Sequence, residues 1–147
     1  MENEENYEIE KRYSLSRHIE GIKNAPLLET NKEALLKFIE YESSKGKKYI
    51  ESLSMLINII REVNDIDLTS LDEEGVIKTF EKLNNIRWLY SASSFTTLKQ
   101  RWIEFLEFIS RTYKLKLDIK PLAKKFNLKL RSQYMTISKP IEYQHGN

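Results

Sequence analysis

The chain has 147 residues, 40% apolar and 31% charged, with no cysteine, four glycines and three prolines. That is room for one domain with a sizeable core, and it excludes a disulfide scaffold, a thiolate metal site, a cysteine nucleophile and the turn-rich sandwich and propeller folds. The formal net charge of +2 hides a polarity: residues 1–10 carry five Glu and no base, residues 11–110 balance, and residues 111–131 carry eight bases against Asp118 alone.

Residues 1–6 form an acidic head with nothing to bury and read as disordered. From Tyr7 to Lys23 the positions Ile9, Tyr13, Leu15, Ile19 and Ile22 suit a helix, which Asn24-Ala25-Pro26 stops. Thr30 with Glu33 reads as a capping box opening a second helix, about 30–44, that carries Leu35, Leu36, Phe38, Ile39 and Tyr41 and stops at Gly46. A third helix, about 48–63, has the stripe Ile50, Leu53, Leu56, Ile57 and Ile60. Ser70 with Glu73 reads as a further box for a helix over 71–84, presenting Val76, Ile77, Phe80 and Leu83 and broken at Asn84-Asn85.

Ser91 to Ser94 are competent caps for the strongest helix, about 93–110, with Phe95, Leu98, Trp102, Phe105, Leu106 and Ile109 inward. Pro121 suits the first position of a short basic helix through Phe126. Beyond Leu128 the pattern weakens to an extended stretch at 134–137 and a linker-like end at Pro140 and Gly146. The expected fold is all-α: a helical core over 7–110 and a basic extension and linker over 111–147. No apolar run is long enough to span a membrane, and the acidic start is the reverse of a targeting peptide, so a soluble, cytoplasmic protein is expected.

Catalytic signatures are missing. The histidines are His18 and His145, with no His-Glu-x-x-His, Gly-rich phosphate loop or Gly-x-Ser-x-Gly elbow. Asp72/Glu73/Glu74 and Glu104/Glu107 read as solvated helix surface, the first set favoured by the helix dipole. Neither catalysis nor a metal or other cofactor is expected.

Two helix openings stand out. One runs from Lys45 through Lys47, Lys48 and Tyr49 to Ser52; the other runs from Ser91 through Ser93, Ser94, Thr97, Lys99 and Gln100 to Arg101. Hydroxyls and bases at a helix N-terminus suit phosphate. On the second helix the buried stripe leaves Ser93, Thr97, Gln100 and Arg101 outward, a set without an acid or an apolar residue. Ordinary caps on a water-facing surface explain the same residues equally well.

The order of elements resembles the N-terminal core-binding domain of tyrosine recombinases, the phage and archaeal integrase family. The resemblance covers about Leu15 to Ile109: LSRHIEGIK from Leu15 to Lys23, NKEALLKFIEY from Asn31 to Tyr41, a Lys-Gly turn, DLTSLDEE from Asp67 to Glu74, and Tyr90 to Ile109 with Lys99 at a basic position. The first opening departs from the family, where Glu51 and Ser52 stand for residues that are frequently basic. The resemblance implies a compact orthogonal four-helix, SAM-like bundle with an extra leading helix. It implies a domain that clamps a recombination half-site on double-stranded DNA beside other recombinase protomers and is a monomer when alone. The family's catalytic half is absent from this sequence: neither histidine makes His-x-x-Arg, and Ser138 to Tyr143 resembles the linker that enters that half. A piece of a longer recombinase, or the product of a split gene, is therefore expected.

Within that resemblance Arg101 is the expected base-edge contact. Lys47, Lys48, Lys114 and Lys116 are expected to hold phosphates, with Lys45, Tyr49, Ser52, Ser91, Ser93, Ser94, Thr97, Lys99, Gln100 and Arg111 on the same DNA-binding face. The alternative, from a different class, is a helical protein-interaction or regulatory module whose basic segment binds an acidic protein.

Overall fold

The computed structural model describes residues 16–45 and 50–127, with side chains from 53 onward in the second stretch. The described residues contain helices and no strand: α1 (16–24), α2 (Glu29–Ser44), α3 (Ile50–Glu62), α4 (Glu73–Leu83), α5 (Ala92–Thr112) and α6 (119–127), with 3-10 turns at Leu68–Ser70 and Asn84–Leu89. The acidic head, Ile9, Tyr13, Leu15, Gly46 and the stretch at 134–137 lie outside the described residues.

Among the described residues the longest helix, α5, is the axle. Its inward residues Phe95, Leu98, Trp102, Phe105, Leu106 and Ile109 are all buried, as their spacing requires, and Phe108 joins them. Phe105 lies 5.1 Å from Phe38 of α2, edge to face, and 5.3 Å from Trp102. Leu53, Leu56, Ile59, Ile60 and Val63 of α3 and Val76, Phe80 and Leu83 of α4 complete the core. On α3 the buried stripe includes Ile59 and Val63, while Ile57 is half-buried, so the face is rotated from the expected one. Trp102 has no exposed surface, and its indole N–H donates to Thr79 Oγ1 at 3.1 Å. That bond explains a buried threonine on α4: a buried indole N–H needs an acceptor.

Two capping expectations are corrected. Helix α2 begins at Glu29 behind Leu28, which makes no side-chain cap, so Thr30 lies inside the helix. Helix α4 is capped by Asp72, whose carboxylate accepts from the Gly75 N–H at 2.7 Å; Ser70 ends the preceding 3-10 turn instead. Asp72 wins because a carboxylate at the helix start also complements the dipole. Asn84-Asn85 ends the α-helix, but the winding continues as a 3-10 turn to Leu89, pinned by buried Ile86.

A polar clamp joins distant loops. Asn31, buried on α2, donates to the Ile66 carbonyl at 2.9 Å and accepts from the Leu68 N–H at 2.9 Å. Asn64 accepts from the Leu28 N–H at 2.9 Å and donates to the Pro26 carbonyl at 3.3 Å. Backbone groups that leave regular structure at the ends of α1 and α3 are satisfied in this way.

The expected boundary after residue 110 is also corrected. Ile119, Leu122, Ala123 and Phe126 of α6 are buried in the same core, and the Phe126 ring stacks on Phe80 at 5.8 Å. The basic residues Lys120, Lys124 and Lys125 occupy the opposite, exposed side of α6, so residues 111–127 are part of the domain rather than an extension. The helix also starts at residue 119, ahead of Pro121, which the first turn tolerates because its missing N–H would have no partner there.

Candidate nucleic-acid interface

Ser91 opens α5 in extended geometry, and its Oγ accepts from the Ser94 N–H at 3.2 Å. Ser91, Ser93, Thr97 and Gln100 are exposed, with Ser94 half-buried. The Thr96 and Thr97 hydroxyls donate to the carbonyls of Ala92 and Ser93, at 3.0 and 3.2 Å, so their protons are committed along the helix. The N–H groups of the first turn remain the donors at this end.

Lys99 sits one turn further on and is half-buried, its ammonium held by Asn127 Oδ1 of α6 at 2.6 Å. Burial first, and then the Arg87 guanidinium, pushes Lys99 below the ordinary lysine range. Arg87 itself lies over the Phe95 ring, 5.4 Å from its centroid. Among the described residues neither Arg87 nor Lys99 forms an ion pair with a carboxylate.

Arg101 is not outward. Its side chain is 13% exposed, and its guanidinium bonds Glu42 of α2 at 3.0 Å and Glu104 at 2.8 Å. It also lies 5.3 Å from the Phe38 ring centroid. The face of α5 that carries Arg101 is covered by α2, which brings a carboxylate that is only 3% exposed. A guanidinium committed in this way is a structural ion pair between helices, and the expectation that Arg101 points outward is corrected.

The remaining bases lie at the far end. Ser91 and Arg111 are about 30 Å apart along α5 at 1.5 Å per residue. Arg111 and Lys45 line a cleft of about 290 Å³ with Phe38, Tyr41, Glu42, Glu104 and Glu107. The Lys45 ammonium lies 4.3 Å from the Tyr41 ring centroid; hydrogen bonding by Lys45, with Arg111 nearby, holds the Tyr41 phenol below its usual range. Cations and carboxylates alternate here, so this end is mixed in charge. Lys114 and Lys116 are exposed and both adopt positive φ, 53° and 56°. Lys114 closes α5: the Leu115 N–H reaches back to the Ser110 carbonyl at 2.9 Å and the Tyr113 N–H to Ile109 at 2.9 Å. This is the position that glycine usually takes. Lys47, Lys48, Tyr49 and the Ser52 side chain lie outside the described residues.

The expected single face therefore resolves into two patches at opposite ends of α5, with the Arg101 pair between them. Sequence reading missed Arg87 and its neighbour Trp88, which is 80% exposed. The available signal was Ile86, three residues after Leu83: it continues the buried spacing and leaves 87–89 off the core face.

No group of three or more His, Asp or Glu able to hold a metal occurs among the described residues. No described helix is long and apolar enough to cross a membrane. Comparison of the chain with models of known families, with curated proteins and with solved structures finds no match.

Proposed function

We propose that the chain is a DNA-binding domain of the core-binding type found in tyrosine recombinases, holding half of a recombination site on duplex DNA beside other protomers. In this reading α2 to α5 form the orthogonal SAM-like bundle of that domain, and α1 leads into it. Strand cleavage belongs to residues that this chain does not contain.

One observation carries the reading. The opening of α5 sets exposed Ser91, Ser93, Thr97 and Gln100 beside Arg87 and Lys99, two cations with no carboxylate ion pair among the described residues. Two cations held close to one another without an acid favour an incoming phosphate, and the donors of a helix start add to that preference. Lys114 and Lys116 supply further exposed positive charge at the other end. Affinity built on such contacts comes from counterion release and falls steeply with salt.

The test is a salt titration of binding to duplex DNA. Arg87→Ala/Lys99→Ala is expected to weaken all sequences alike and to flatten the log–log salt slope by about two, roughly one per lost phosphate contact. Lys45→Ala/Arg111→Ala is expected to do less, because Glu42, Glu104 and Glu107 share that cleft. Unchanged binding in the Arg87/Lys99 variant would place the interface elsewhere. A wild-type chain that binds no duplex at low salt would replace this reading with the protein-interaction module.

A further inference from the structure

Trp88 and Leu89 are out in solvent, 80% and 50% exposed, on a segment that is not loose. On one side buried Ile86 anchors the 3-10 turn in the core. On the other, Tyr90 is half-buried, its N–H bonds the Arg87 carbonyl at 3.1 Å, and its hydroxyl accepts from Asn58 of α3 at 2.9 Å. Fixed points on both sides therefore hold the indole in water. A large exposed aromatic beside a second exposed apolar residue is the informative kind of surface.

The surroundings narrow the partner. Arg87 adjoins Trp88 in the chain and is held over Phe95, with Lys99 close enough to feel its charge. The exposed hydroxyls of Ser91 and Ser93 follow within one turn. A partner must offer a flat apolar face, a negative charge a few ångströms away and hydrogen-bonding groups. An unpaired nucleotide offers all three in one unit: the base, its phosphate and its sugar. Sequence-tolerant stacking on an aromatic beside cations is how single-stranded nucleic acid is held.

We propose that Trp88 is a stacking platform for an unpaired base, with the adjoining phosphates on Arg87 and Lys99 and Leu89 as a wedge against the next base. This rests on the nucleic-acid reading of the same end of α5 and adds to it: the domain prefers DNA that contains unpaired nucleotides over perfect duplex.

The experiment uses the full chain and unlabelled DNA in three forms: a mixed-sequence single strand, the matching duplex, and that duplex with a central unpaired bulge. Intrinsic fluorescence is the readout, because Trp88 is exposed while Trp102 is fully buried, so quenching of the solvent-exposed indole reports on Trp88. Single-stranded and bulged DNA should quench that emission. Trp88→Ala, followed by anisotropy of labelled DNA, should lose about tenfold in affinity for both, and Trp88→Phe should lose less because a ring remains. Perfect duplex should bind both variants as it binds wild type. If Trp88→Ala binds bulged and single-stranded DNA as wild type does, the platform is overturned while duplex binding keeps the domain reading alive. If no form of DNA binds at low salt, both fall. If Trp88→Ala instead abolishes a concentration-dependent self-association in sedimentation and leaves DNA binding alone, the patch is an interface between copies, and the platform is again overturned.

Discussion

Both ends of α5 carry basic residues, and they differ in what faces them. At the N-terminal end, Arg87 and Lys99 meet no carboxylate partner among the described residues, and Trp88 stands in solvent. Toward the C-terminal end, Arg101 is locked by Glu42 and Glu104, and Arg111 and Lys45 share a cleft with three glutamates. The difference shows that charge summed along a segment does not describe a surface. What decides is which acids meet the bases: α2 lays Glu42 against Arg101, and α5 adds its own Glu104 and Glu107.

Trp102 sits between the two ends and holds both, so its truncation should have the largest effect. Trp102→Ala is expected to cost about 3–5 kcal/mol, read as a large drop in thermal midpoint. A midpoint close to wild type would mean that the two ends do not share one core.

Next in size is the interhelical ion pair. Arg101→Met strips Glu42 of this partner inside the structure and should cost about 3 kcal/mol, whereas Glu42→Leu/Arg101→Met should recover most of it. Denaturant melts of the single and double variants give the coupling. If the single variant is as stable as wild type and loses only DNA affinity, then Arg101 belongs to the interface after all, and the contrast between the two ends collapses.

The caps test each end with smaller changes. Ser91→Ala removes the acceptor for the Ser94 N–H and should cost about 1 kcal/mol. At the other end Lys114→Gly relieves a left-handed lysine and should gain about 0.5–1 kcal/mol, since glycine's extra unfolded freedom offsets part of the relief. A loss of stability in Lys114→Gly would show that the lysine side chain makes up for its backbone. Salt-dependent DNA binding by the same variant then tells whether that charge contributes at this end.

The helix bodies were legible in the sequence because burial imposes a period, and Leu98, Trp102, Phe105 and Ile109 keep it without a break. The caps were less so. Thr30 and Ser70 each satisfy the Ser/Thr-x-x-Glu pattern, but Leu28 and Asp72 are the observed cap positions; the pattern names residues able to cap, and the turn chooses among them. Arg101 was misplaced for a deeper reason. Helical spacing tells which face of α5 points inward, but it cannot tell that α2 will lay Glu42 across a second face from 59 residues away. The same limit hid α6, whose basic residues dominate its composition while Ile119, Leu122, Ala123 and Phe126 do the packing. Trp88 escaped notice because a tryptophan in a helical protein is expected inside, although the Leu83–Ile86 spacing already leaves 87–89 off the core face.

The asparagine clamp has a consequence for the order of events in folding. Its bonds join residues 33 to 38 positions apart, so none forms until the start of α2 and the segment after α3 have come together. If these contacts form after the rate-limiting barrier, they act as a latch on unfolding rather than a guide to folding. Asn31→Ala is accordingly expected to shorten the lifetime of the native state in stopped-flow unfolding while leaving the refolding rate nearly untouched. A slowed refolding limb would move the docking of Asn31 on the 64–68 segment into the nucleus itself.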